Sequence, residues 1–208
     1  MDENITFTID GYDFMNYKNK KWIKIFEHNS NYGFFNPQNA AFSTNPNLYS
    51  IIKFIPKLNR PTNRYTFILR YPGRNGENLF SQTQTPFGIY TSKEEMGLET
   101  DPASTWTGDN WRGLMLSNDS NTYMHCSDRI YWHAAIGAYK PYKSDIEFPG
   151  PWIIDKVKGI DYSFNVDRVI LWMEIRNFID IFDFCQCTSN CNAYFRIAFS
   201  YINIFILI

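Results

Sequence analysis

The chain has 208 residues, 44% of them hydrophobic and 20% charged, with a formal net charge of −1. That length suffices for one domain with a sizeable core. The near-neutral balance argues against a duplex-DNA binder, which needs a basic face to neutralise phosphates, and the 18% aromatic content favours pleated, half-buried strands.

The amino terminus, MDENITFTIDGYDF, is acidic and has no basic segment followed by an apolar run, so it does not read as a signal peptide. The compartment is then cytoplasmic if the chain begins here, and secreted or cell-surface if it begins upstream. Residues 5–9 alternate as a strand and Gly11 opens a turn. A second strand is expected near Trp22–Phe26. Lys18, Lys20, Lys21 and Lys24 read as a solvated edge face flanked by Asp10, Asp13 and Glu27. The Asn-rich segment 28–47 reads as a long loop.

Asn45-Pro46 then precedes Leu48, Ile51, Ile52, Ile55 and Leu58, whose spacing predicts a short helix limited by Pro56. YTFILRY at 65–71 predicts a strand, and Asn75-Gly76 a hairpin turn. Residues 78–86 and 88–92 read as extended, and 93–104 as a charged loop. Residues 113–116, 122–125 and 134–139 are short strand candidates. The proline-rich segment 140–152 reads as a loop. RVILWMEI at 168–175 predicts a strand with Val169, Leu171, Met173 and Ile175 on one face. Arg168, Ile170, Trp172 and Glu174 are expected on the other, outer face. After Asn177 the glycine and proline punctuation disappears, and the final apolar run is too short for a spanning helix of roughly 20 residues.

The stretch from Trp106 to Gly137 concentrates the ligand-type residues. Trp106, Trp111, Tyr131 and Trp132 offer faces on which sugar rings stack, and neighbouring Asn, Asp and Arg side chains suit hydroxyl groups. Core packing accounts for tryptophans in a β fold equally simply. Asp109, Asp119 and Asp128 are oxygen donors in one region, and calcium is the cofactor such donors admit, with solvated turn acids as the plain alternative. Cys185, Cys187 and Cys191 lack the paired spacing of a zinc site. His125 and Cys126 are adjacent, so on a strand they point to opposite faces and do not form a nucleophile pair. No glycine-rich phosphate loop precedes a helix.

An ordered series of short motifs runs through WIKIFEHNS (22–30), LYSII (48–52), FILRYP (67–72), 78–86, WRGLML (111–116), YWHAAIG (131–137), PGP (149–151) and 169–175. In this series the chain resembles a poorly characterised module of extracellular and cell-surface proteins from invertebrates, protists and some bacteria, sometimes labelled kielin/chordin-like or fibrinogen-like. The chain departs from that pattern at Cys126-Ser127 and at Ser81-Gln82. The resemblance implies a lectin-like or adhesion-type β-sandwich and supplies no catalytic residues.

These readings together predict a mainly β fold: an antiparallel β-sandwich, jelly-roll or lectin-like, with one short helix. It is expected over residues 1–177, followed by an atypical cysteine-containing apolar tail over 178–208. The expected function is non-catalytic recognition of a carbohydrate or cell-surface ligand through Asn78, Gln82, Asn110, Trp111, Arg112, Asp128, Trp132 and His133. The partner is a glycan or protein, with no nucleic acid and no stable membrane span. The alternatives are an intracellular structural or protein-interaction domain, and a hydrolase using His125, Asp128 or His133.

Overall fold

The computed structural model describes residues 5–9, 11–32, 41–73, 75–104, 113–116, 123–124, 135–136, 152–154, 163–165 and 167–177. Contacts divide the chain into two units, Met1–Arg176 and Asn177–Ile208.

Alternating side chains and tight turns build the first three strands, β1 (Ile5–Ile9), β2 (Tyr12–Tyr17) and β3 (Lys20–Asn29). Lys18 and Asn19 take φ values of 51° and 56°, the left-handed backbone of a two-residue hairpin turn whose twist matches the flanking strands. This turn adds β2, a strand absent from the sequence reading. Lysine is not a residue that signals such a turn.

β4 (Ser43–Asn45) and β5 (Leu48–Ser50) form a hairpin in which Asn45 faces Leu48. The helix expected over 48–58 is therefore corrected: its first residues are a strand, and a 3-10 helix follows at Ile52–Lys57. The apolar spacing was real but belongs to three residues per turn, so Ile52, Ile55 and Leu58 align and are buried. β6 (Tyr65–Arg70) and β7 (Glu77–Gln82) pair from Tyr65 opposite Gln82 to Arg70 opposite Glu77.

The expected charged loop at 93–104 contains a one-turn helix, α1 (Lys93–Met96), and strand β8 (Glu99–Thr100). Ser92 caps α1 by accepting the Glu95 N–H at 3.1 Å, and Gly97 ends it with φ 62°. β9 (Met115–Leu116), β10 (Tyr123–Met124) and β11 (Ala135–Ile136) form a small sheet, and β12 (Trp152–Ile154) pairs with β13 (Ser163–Asn165). β14 (Arg168–Ile175) matches the expected strand.

The main sheet is antiparallel and open, in the order β1-β2-β3-β14-β6-β7-β8, with β5 and β4 joined to β3. The class is mainly β, as expected. The sandwich form goes beyond what the described residues show.

β3 is long enough to change partners along one edge. Its first half pairs with β2, and Phe26–His28 pair with β5. Between the two, the β14 register slips: Leu171 faces Phe26 and Trp172 faces Lys24, leaving Ile25 as the bulged residue. The Ile25 carbonyl accepts the Ile51 N–H at 2.9 Å, which ties the bulge to the start of the 3-10 helix.

One sheet face is almost wholly apolar and carries buried Phe14, Ile23, Phe26, Phe67, Leu69, Phe80, Leu171 and Met173. The opposite face, expected to be outer, holds a second cluster of Met15, Trp22, Ile68 and Trp172, with Tyr17, Leu79 and Ile170 packed against it. Lysine and arginine stems cover this cluster while their charged heads reach the surface. Lys20 lies 5.9 Å from the Trp22 ring and binds Glu174 at 2.8 Å.

Candidate functional site

Near the point where β3 exchanges β2 for β5, residues of β1, β2, β3 and β14 line an open depression of about 250 Å3. Phe7, Ile170 and Trp172 supply its apolar surface. Thr6, Thr8, Asp13, Lys24, Glu27 and Arg168 supply its polar surface.

The charges form one chain. The Lys24 ammonium binds the Asp13 carboxylate and also Glu27 Oε2 at 2.9 Å. Arg168 Nε donates to Glu27 Oε1 at 2.6 Å, and its Nη2 pairs with the same carboxylate. The Thr8 hydroxyl donates to Asp13 Oδ1 at 2.6 Å. Glu27 is 3% exposed, so it acts as the buried bridge between two cations, which is how a carboxylate is tolerated inside a protein.

Burial pushes the Asp13 carboxyl up. The Lys24 and Thr8 hydrogen bonds and the Lys24 charge outweigh that push, and the carboxyl sits below its ordinary 3.8. The Tyr49 ring faces Lys24, whose Nζ lies 5.0 Å from its centroid, and burial pushes the Tyr49 phenol up. Family models, curated proteins and solved structures yield no match to this chain. The functional reading therefore rests on this chain's own side chains.

A further carboxylate on the same face is saturated. Glu77 Oε1 accepts from Tyr17 Oη and Lys18 Nζ, each at 3.0 Å. Its Oε2 accepts from Arg70 Nε at 3.0 Å and Nη2 at 2.9 Å. Four donors leave this group a clamp joining β2, β6 and β7.

The sequence reading assigned eight ligand residues. Asn78 and Gln82 lie on β7 on the apolar face, fully buried and away from the depression. Gln82 Nε2 donates to the carbonyls of Leu114 and Gln84, and its Oε1 accepts the Leu114 N–H, so its amide holds residue 114 in place. Gln82 thus finds its partners inside, as an amide on a buried strand face must.

Asn110, Trp111, Arg112, Asp128, Trp132 and His133 lie outside the described residues, as do Asp109 and Asp119 of the calcium reading and the three tail cysteines. Among the described residues no group of three or more His, Cys, Asp or Glu side chains could hold a metal ion, and no helix is long and apolar enough to cross a membrane.

The residues lining the depression were passed over in the sequence. Lys24 with Asp13 and Glu27 read as an ordinary solvated face. The signal that could have found them was the assignment of Arg168, Ile170 and Trp172 to the outer side of β14. An aromatic and an aliphatic residue beside a cation on a nominally solvated face ask for a partner.

Proposed function

We propose that this chain is a non-catalytic binding module that recognises a carbohydrate in this depression. One observation carries the proposal: Ile170 and Trp172 lie beside an ion-paired rim of Asp13, Lys24, Glu27 and Arg168 in an open hollow. A sugar offers C–H groups to the apolar surface and hydroxyls that both donate to carboxylates and accept from cations.

The rim favours binding over acid–base chemistry. A general acid working near neutrality needs a carboxyl raised toward that range. Asp13 is lowered, and both rim carboxylates are already paired with cations. The volume lies below that of common ligand pockets, roughly 300–1,000 Å3, which suits one sugar unit of a longer chain.

The test is a glycan-array screen of the full chain, with Arg168→Ala as the paired variant. Lys24 still pairs with Glu27 when the half-exposed Arg168 side chain is removed, and circular dichroism checks that the variant is folded. Binding that is lost in a folded Arg168→Ala protein supports the proposal. Absence of glycan binding by the folded parent, or binding unaffected by the substitution, overturns it.

A further inference from the structure

We infer that β1 is a self-complementary edge through which two copies of this chain pair into one continuous sheet. The segment Ile5–Ile9 reads ITFTI, which is the same in both directions. An antiparallel pair with its twofold axis at Phe7 therefore sets Ile5 opposite Ile9, Thr6 opposite Thr8, and Phe7 opposite its own copy. Each is a favourable cross-strand match: aliphatic on aliphatic, hydroxyl on hydroxyl, aromatic on aromatic.

The backbone has the parity this arrangement needs. The chain reverses between Ile9 and Tyr12, which face each other, and an antiparallel ladder alternates hydrogen-bonded with non-hydrogen-bonded pairs. The amides and carbonyls of Ile5, Phe7 and Ile9 thus serve β2, while those of Thr6 and Thr8 point away from the sheet. Thr6 opposite Thr8 is then a hydrogen-bonded pair at both ends of the twofold. Phe7 opposite its copy is the close, non-hydrogen-bonded pair at the centre.

Among the described residues the edge is also open and undefended. Among the described residues β1 pairs with β2 alone, and Ile5 is 50% exposed. Natural edge strands are guarded by lysine, proline, a bulge or shortness, and β1 has none of these. Among the described residues the other edges of the main sheet do: β8 is two residues long with Glu99, and β4 is three. A twofold contact is isologous and closes at two copies, so it does not lead to open-ended assembly.

The experiment measures the mass of the full chain by sedimentation equilibrium against concentration. The parent should approach twice 24.6 kDa. The double variant Thr6→Lys with Thr8→Lys sets like charges opposite at both hydrogen-bonded pairs and should weaken the dimer by about tenfold or more. The variant Thr6→Glu with Thr8→Lys sets opposite charges there and should restore it. The two variants share the change at Thr8, so a general folding defect would affect both. A monomeric parent at ~100 μM, or equal masses for the two double variants, overturns the inference. The readout is mass alone, which keeps it separate from the glycan proposal.

Discussion

Gln82 and Leu114 meet through a complete amide pair: Gln82 Nε2 donates to the Leu114 carbonyl at 2.8 Å, and Gln82 Oε1 accepts the Leu114 N–H at 2.8 Å. A side chain here completes the backbone hydrogen bonding of a residue 32 positions away. Gln82→Met keeps the length and removes both partners, leaving a buried N–H and C=O unmade. We expect a loss of about 2–4 kcal/mol, read as a lowered urea midpoint with unchanged slope. A loss under ~0.5 kcal/mol would show that Leu114 finds other partners.

Acid should weaken the fold through two identified carboxyls. Burial raises both Asp13 and Glu77. Hydrogen bonds and charge from Lys24 and Thr8 at Asp13, and from Lys18, Arg70 and Tyr17 at Glu77, hold both below their ordinary values of 3.8 and 4.5. The folded state therefore binds fewer protons than the unfolded one, and the stabilisation is complete above those values. It is lost as pH falls from about 4.5 through the lower folded-state values. Carboxyl-carbon NMR titration should place both groups below their ordinary values, and Glu77→Gln should flatten the acid limb of a stability profile. A Glu77 titration at or above 4.5 would contradict the clamp.

The turn at Lys18-Asn19 holds two non-glycine residues in left-handed backbone. Asn19→Gly removes the steric cost at the second position without disturbing the Lys18–Glu77 ion pair at 3.0 Å. The variant should gain roughly 0.5–1 kcal/mol. Thermal denaturation checks this, and a lowered midpoint would mean that the Asn19 side chain holds the turn.

Trp22 is fully buried on the charged face and donates its Nε1–H to the Tyr17 carbonyl at 3.1 Å. Trp22→Ala should cost about 3–5 kcal/mol. Trp22→Phe keeps most of the apolar contact and loses the hydrogen bond, so its cost should be smaller, about 1–2 kcal/mol. Equal effects in chemical denaturation would mean that the indole N–H, rather than the ring, carries the contribution.

Strand positions were legible where a segment was strongly alternating or rich in β-branched and aromatic residues. Residues 5–9, 65–70 and 168–175 are the clearest cases, because side-chain period and β propensity are local properties. The misread segments show where local signals compete. Ile52, Ile55 and Leu58 satisfy both a three-residue and a 3.6-residue period, and the preceding hairpin takes Leu48 away from the helix. The capped turn at 92–97 was hidden in a charged stretch, although Ser92 and Glu95 have the spacing of a helix start.

The sequence by itself determined the mainly β class and the alternation of β1 and β14, since each depends on residues within short segments. Only the tertiary structure decided that Ile5–Ile9 is an edge, that Glu27 meets Arg168 across 141 positions, and that distant strands line a hollow beside Trp172. The reason is physical. Strand identity follows from local sterics and side-chain period, whereas strand partners are chosen by burying apolar faces contributed from distant parts of the chain.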